Sequence, residues 1–345
     1  MVVSGTSPDP PQALGESEAF LALQERISQA ARTDRPVILI GERGTGKELA
    51  AARLHLLSAR WGQPYVTLNC ASLAPTLIES ELFGHEAGAF TGAVRLRKGR
   101  FEIADGGSLF LDEVANIPPT VQEKLLRTVE YGQMERVGSS ETRRVDVRLI
   151  AATNVDLRAE AEAGRFRRDL LDRLAFEVIV LPPLRRRRED IVLLARHFAR
   201  RMAGQLGLEF QPEFSPAARQ ALLAHPWPGN VRELRNVVER MVYRTRARLI
   251  EEIVFDPFDS PDMPGGGPGP AGNARAASSP EAAAGLAELD ALPLPAAVRA
   301  LELRRLRAAL AATQHHQRRA AERLGLTYHQ FRGLYRKHQR DLAGS

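Results

Sequence analysis

The 345-residue chain has a single cysteine, no run of eighteen or more apolar residues, no leader pattern at its start and no internal repeat. One thiol, Cys70, excludes an intramolecular disulfide and a cysteine-built metal site, and in its apolar setting "VTLNCASL" it reads as a small core residue. Without a long apolar run there is no candidate membrane-spanning helix. The opening "MVVSGTSPDPPQ" lacks the basic flank and apolar stretch of a signal peptide, so the expectation is a cytoplasmic protein with no membrane insertion.

What is present is enough for a sizeable core. Hydrophobic residues make up 44% of a chain longer than one ordinary domain, which predicts two or three globular units. The net charge of +6 is unevenly spread: Val298 to Arg340 holds eleven Lys and Arg against two Glu, a net of +9 that leaves −3 for the remainder. A positive charge concentrated on a small C-terminal unit points to a polyanion partner, nucleic acid above all.

Residues 1–12, rich in Pro, Ser and Gly, are expected to be disordered. From 13 to 181, helical periodicities alternate with the short apolar stretches "VILI", "YVTLNC", "GSLFLDE" and "VRLIAATN", an α/β signature with a mostly parallel sheet. Residues 182–255 read as an all-helical unit. A Pro, Gly, Ala and Ser stretch over 256–296 reads as a flexible linker, and 297–345 as a helical tail.

"VILIGERGTGKE" carries Gly41, Gly44, Gly46 and Lys47 at G-x-x-x-x-G-K spacing, after a strand and before a helix. There the backbone N–H groups of Gly41, Glu42, Arg43, Gly44, Thr45 and Gly46 can approach phosphate oxygens, while Lys47 reaches the β- and γ-phosphates of ATP. Glu48 stands where the general motif has Ser or Thr for Mg2+, so the metal depends more on other groups. Asp112 and Glu113, at the end of the strand "GGSLFLDE", supply them: Asp112 to hold Mg2+ and Glu113 to polarise the attacking water. Thr153 and Asn154 end another strand, where they could bond the γ-phosphate, or Asn154 could cap the next helix. Arg167, Arg168 and Arg173 in "FRRDLLDRL" are arginines whose role the residues alone leave open.

Together "GERGTGKE", "ESELFGHEAGAFTGA", "GGSLFLDE", "FRRDLLDRLAF" and "WPGNVRELRNVVER" resemble the AAA+ activators of sigma-54 RNA polymerase, the bacterial enhancer-binding proteins, from about Leu14 to the end of the chain. The resemblance implies an α/β P-loop NTPase domain, an all-helical lid subdomain and a C-terminal Fis-type helix-turn-helix. The family's own GExGTGKE form accounts for Glu48. Gly88, Ala89, Phe90, Thr91, Gly92 and Ala93 would form the loop tip that contacts sigma-54, with Phe90 and Thr91 as contact residues and a buried Phe90 as the alternative. Glycines at both ends suit a loop that must rise and fold back. By matching position, Asn69 would pair with Glu113, Arg167 and Arg173 would reach a neighbouring subunit's γ-phosphate, and Arg232 would be the second sensor carried by the lid. Trans-acting arginines imply a ring, and the family forms hexamers, with a dimer expected when inactive.

In the tail, Gln317 to Leu324 would be the first helix and Tyr328 to His338 the recognition helix, presenting Tyr328, His329, Gln330, Arg332 and Arg336, with Arg318, Arg319 and Lys337 suited to phosphate contacts. The preceding helix, with Val298, Leu301, Leu303, Leu306 and Leu310, could pair two tails. The NTPase unit begins near the N-terminus, leaving no room for a receiver or ligand-binding domain, so control from a separate protein or from expression level is expected. "GLTYHQFRGLYRKH" and "LHLLSARWGQPY" resemble the phage-shock branch of the family, inhibited in trans by phage shock protein A; Trp61 would then be an inhibitor contact, or else a ring packed on the adjacent helix. The expectation is an ATP-hydrolysing activator that binds enhancer DNA and remodels the closed complex of the sigma-54 RNA polymerase holoenzyme. The rivals are a replication-initiator-like remodeller and a repressor that uses nucleotide as an occupancy switch.

Overall fold

A computed structural model describes residues 13–257, 293–313 and 316–338, which divide into a unit within Met1–Phe258 and a smaller one within Asp259–Ser345. The expected disorder of 1–12 and nearly all of the expected linker lie outside the described residues.

Five parallel strands form the centre of the large unit: β1 Val37–Ile40, β2 Tyr65–Asn69, β3 Ser108–Asp112, β4 Arg148–Thr153 and β5 Glu177–Val180, in the order β2-β3-β4-β1-β5. All six residues of β4 are buried in the middle of the sheet, and its apolar stretch Leu149–Ala152 lies between a buried Arg148 and a buried Thr153. Helices cover both faces. On one, α1 (Glu18–Ala31) and α2 (Lys47–Leu56) bury Leu23, Ile27, Ala51 and Leu54 against β1 and β4. On the other, α3 (Pro75–Phe83), α4 (Arg100–Ile103), α5 (Pro119–Tyr131), α6 (Leu157–Glu162) and α7 (Arg168–Leu174) pack Leu82, Phe101, Leu125 and Leu170. Cys70 is buried in this second layer, as its context predicts, and burial raises its thiol pKa to about 12. Arg148, 1% exposed, donates to the carbonyls of Ala30 and Ala31 at 2.8 and 3.3 Å and so satisfies the C-terminal carbonyls of α1.

The lid follows β5 as α8 (Arg188–Gln205), α9 (Pro216–Ala224) and α10 (Asn230–Thr245). It is not wholly helical, since Glu213–Phe214 and Leu249–Ile250 pair as two short parallel strands. "HPWPGN" divides α9 from α10: Trp227 and Asn230 both adopt left-handed backbone, with φ of 51°. Trp227 lies inside the lid core with Phe214, Leu222 and Leu234, and its indole N–H donates to the Leu222 carbonyl at 2.8 Å.

The small unit contains α11 (Leu294–Ala312), α12 (Gln317–Arg323) and α13 (Tyr328–Lys337), around Leu306, Leu310, Ala320 and Phe331. Among the described residues no helix is long and apolar enough to cross a membrane.

Trp227→Ala removes the largest fully buried side chain of the lid and is expected to cost about 3–5 kcal/mol, read as a lower urea midpoint for the large unit by circular dichroism.

Candidate nucleotide site and its attached loop

The ends of four strands bring the expected site residues together. Parallel sheets present ligands at the carboxyl edge, and here β1 runs into the Gly-rich turn, β2 ends at Asn69, β3 at Asp112 and β4 at Thr153. The turn is tied to the sheet, since the Gly41 N–H donates to the Thr153 carbonyl at 3.1 Å and the Thr45 hydroxyl to the Glu42 carbonyl at 2.8 Å. Gly44 and Gly46, at φ 77° and 96°, supply the left-handed positions before α2 starts at Lys47. The Lys47 ammonium is 8% exposed, donates to the Gly41 carbonyl at 2.9 Å and lies 3.9 Å from the Glu113 carboxylate.

Asn69 does not pair with Glu113. Its amide donates to Asp112 Oδ2 at 3.1 Å, because parallel pairing sets Asn69 directly beside Asp112. Asp112 Oδ1 accepts the Glu113 N–H at 3.0 Å, and Glu113 itself stands in left-handed backbone at φ 52°. Each Asp112 oxygen thus keeps acceptor capacity free for a cation. No group of three or more metal-ligating side chains occurs among the described residues, so Mg2+ fits here as an ion held by a carboxylate and by phosphates, rather than in an all-protein cage. Thr153 is buried and its hydroxyl accepts the Val155 N–H at 3.2 Å, while the cap of α6 is Asp156, not Asn154.

Glu42, expected among the ATP contacts, has its carboxylate engaged with Arg185 and Asn230 of the lid side, and Glu48 is exposed on the first turn of α2. Arg43 is exposed; Arg232 is exposed on the first turn of α10, beside Gly44. Arg167 and Arg173 are half exposed, each held by one carboxylate at 2.6 Å, Asp169 and Glu130 respectively. Arg168 is exposed and has no position in the site. Gln122, which no motif in the sequence marks, is fully buried; its amide donates to the Ile117 and Arg165 carbonyls and accepts the Arg167 N–H at 2.8 Å, fixing the backbone from which Arg167 projects.

Between α3 and α4 the chain leaves the domain as a loop. Its two legs pair as antiparallel Gly84–Lys98 and His85–Arg97, and at this neck a Cβ on Gly99 would stand 2.3 Å from the Phe83 carbonyl carbon, so backbone touches backbone with no side chain between. Gly88 and Gly92 have φ of 83° and 103°, and the Gly88 N–H closes the tip on the Ala93 carbonyl at 2.7 Å. Ala89 is half-buried against Gly138, Ala93 is buried, and Thr91 is exposed. Phe90 is 41% exposed with its ring edge on His85 at 5.0 Å, so the buried alternative is corrected. Under the neck, Arg136 is buried, bonding Glu86 at 2.9 Å and Glu102 at 2.8 and 2.6 Å. Burial alone would raise the Glu102 pKa, but the Arg136 guanidinium outweighs it and holds the carboxyl below its usual range.

Trp61, in the turn after α2, is 70% exposed. In the small unit Arg318, Arg319, Tyr328, His329, Arg332 and Arg336 are exposed, with the Arg318 guanidinium 5.7 Å from the Tyr328 ring centre. Gln330 is engaged: its Oε1 accepts the Thr327 N–H at 3.0 Å in a capping box that starts α13. Lys337, expected on phosphate, is ion-paired to Glu302 of α11 at 2.8 Å, and the buried His338 bonds the same carboxylate at 2.7 Å.

Three family profiles match: the sigma-54 interaction domain over residues 13–180, the AAA+ ATPase lid domain over 185–258 and the bacterial regulatory protein Fis family over 297–340. The chain is similar to the Psp operon transcriptional activator of Escherichia coli K12, 51% identical over 333 residues that cover 94% of this chain and 97% of that protein. It is 52% identical over 239 residues to the transcriptional regulatory protein ZraR of Salmonella typhimurium, covering 69% of this chain and 54% of that one. Among solved structures, NtrX from Brucella abortus in complex with ATP matches with a TM-score of 0.65 at 33% identity, covering 94% of this chain and 69% of that one.

Gly44→Ala and Gly46→Ala separate two constraints on the Gly-rich turn. Both place alanine at positive φ, but a Cβ at Gly44 would also meet the Gly229 carbonyl at 2.2 Å, whereas at Gly46 it meets nothing. Gly46→Ala is expected to cost about 1–2 kcal/mol from backbone strain and Gly44→Ala clearly more, measured as chemical denaturation of the large unit.

Proposed function

The chain belongs to the sigma-54-dependent activators, AAA+ ATPases that carry a Fis-type DNA-binding helix-turn-helix, and from that premise we propose that it turns ATP hydrolysis into movement of the loop tip Gly88–Ala93 against sigma-54. The observation that carries this reading is the exposed Phe90 and Thr91 on a loop held at a glycine neck, in the same compact unit as the Gly-rich turn and the Asp112–Glu113 pair.

In the proposed cycle the backbone N–H groups of the Gly-rich turn and the Lys47 ammonium bind the β- and γ-phosphates. Mg2+, when bound, neutralises phosphate charge, with Asp112 as its carboxylate and Asn69 orienting Asp112. Glu113 accepts the proton of the attacking water and directs it in line with the γ-phosphorus. Binding energy for the triphosphate displaces Lys47 from Glu113, which frees that carboxylate for the water. Arg167 and Arg173, exposed and lightly held, complete the site of the adjacent subunit, so the active form is a ring, a hexamer, assembled from dimers. Thr153 and Arg232 sense the nucleotide from the sheet and from the lid.

The small unit would bind enhancer DNA, with Arg332 and Arg336 of α13 toward base edges and Arg318 and Arg319 on phosphates. A cytoplasmic activator of phage-shock, membrane-stress genes is the specific role we favour, on the strength of the similarity to the Psp operon activator over nearly the whole of both chains. Trp61 is then the contact for a trans-acting inhibitor, phage shock protein A.

Purified protein with sigma-54 holoenzyme on a duplex promoter is expected to form open complexes with ATP and none with a non-hydrolysable analogue; opening with the analogue would overturn the remodelling step. Glu113→Gln is expected to retain ATP binding while hydrolysis falls about 10²–10⁴-fold, in a single-turnover assay. Thr91→Ala is expected to keep ATPase within about twofold of wild type while binding to sigma-54 and open-complex formation fail, a split showing that the residue acts through a partner and not through chemistry.

A further inference from the structure

Glu42 lies inside the Gly-rich turn, where a carboxylate beside a triphosphate would be repelled unless a cation answers it. Its two oxygens accept from two guanidinium nitrogens of Arg185 at 2.5 and 2.8 Å, and the Asn230 amide donates to the second of them at 3.1 Å. These hydrogen bonds, the Arg185 bond first, hold the Glu42 carboxyl down to about 2.

Asn230 is fully buried and uses its whole amide. Besides Glu42, its nitrogen donates to the Arg43 carbonyl at 3.0 Å, and its oxygen accepts the Leu184 N–H at 2.8 Å. One left-handed residue thus ties together the Gly-rich turn, the connection from β5 into the lid and the first turn of α10. Main-chain contact completes the joint: the Val231 N–H donates to the Gly44 carbonyl at 3.0 Å, and Gly44 and Gly229 are too close to admit a side chain. Arg232, two residues beyond Asn230, has its Cβ 3.0 Å from the position a Gly44 Cβ would take.

We propose that Glu42 is a positioning residue and not a nucleotide ligand: through Arg185 and Asn230 it fixes the start of α10 to the Gly-rich turn, so the turn's conformation sets the place of Arg232. The start of α10 is separated from β5 by the first two helices of the lid, so its place at the turn depends on this clasp and on the Val231–Gly44 bond. With the clasp made, a change in the turn on binding triphosphate is passed to the lid in one step. The inference rests on the ATPase reading above and adds how the lid senses that site.

The test uses the full chain and a double-mutant cycle of Glu42→Gln and Arg185→Gln, with Arg185→Lys as the conservative variant. Each single substitution is expected to raise the KM for ATP about three- to tenfold with kcat changed less than about twofold, and the double variant to be no worse than the poorer single. Arg185→Lys, which keeps one charged donor, falls between wild type and Arg185→Gln. The deciding readout is hydrogen exchange: in wild type, ATP protects the amides of residues 229–234, and in Glu42→Gln that ATP-dependent protection is lost. Additive KM effects, or Glu42→Gln that binds ATP weakly yet keeps full protection at 229–234, would overturn the proposal in favour of a direct ligand. Wild-type protein that hydrolyses ATP with exchange at 229–234 unaltered by nucleotide overturns this inference and leaves the ATPase reading standing; wild-type protein that does not hydrolyse ATP overturns both.

Discussion

A carboxylate held by directed hydrogen-bond donors recurs where the parts of the large unit are joined, and the geometry of those donors sets how the parts meet. Three joints use the same solution. Asp190, wholly buried in α8, accepts from the N–H groups of Glu16 and Ser17, the Ser17 hydroxyl and the Arg187 guanidinium, and so fixes the start of α1 to the lid. Glu42 accepts from Arg185 and Asn230 at the Gly-rich turn. Glu102 and Glu86 meet around Arg136 under the loop neck. Most of the partners are arginine guanidinium or backbone N–H donors, with the Ser17 hydroxyl and the Asn230 amide beside them, so the joints are directional.

Much of the catalytic edge is legible in the sequence because its signals are local. The glycine spacing after "VILI" needs only its own strand and helix, and Asp112–Glu113 needs only the end of its own strand. The partner of Asn69 depends on register: parallel pairing puts Asn69 beside Asp112, and the register between two separate strands is not written in either one. The engagement of Glu42 is hidden for a related reason, since Arg185 and Asn230, far along the chain, reach it only through the fold. Two further features are legible in the sequence. "TYHQ" has the T-x-x-Q spacing of a capping box, which engages Gln330, and "WPGN" marks the break between α9 and α10.

The small unit shows how charge and packing share residues. Of its basic side chains, Arg318, Arg319 and Lys337 are the ones expected on phosphate. Glu302 of α11 instead takes Lys337, together with His338, and this ties the C-terminal end of α13 to α11. Arg318, Arg319, Arg332 and Arg336 are exposed on the two short helices, with Arg318 over the Tyr328 ring, and Arg304, Arg305 and Arg307 of α11 are exposed as well.

At the neck of Gly84 and Gly99 two stretches of main chain rest on each other with no side chain between them, a closeness that depends on two missing β-carbons. The segment beyond is seated rather than free: the Glu86 N–H donates to the Val137 carbonyl and its carboxylate accepts from Arg136, Ala89 meets Gly138 and Ala93 is buried. What can be exchanged without unseating it is confined to exposed side chains such as Phe90, Thr91 and Val94, a narrow working face on a fixed mount.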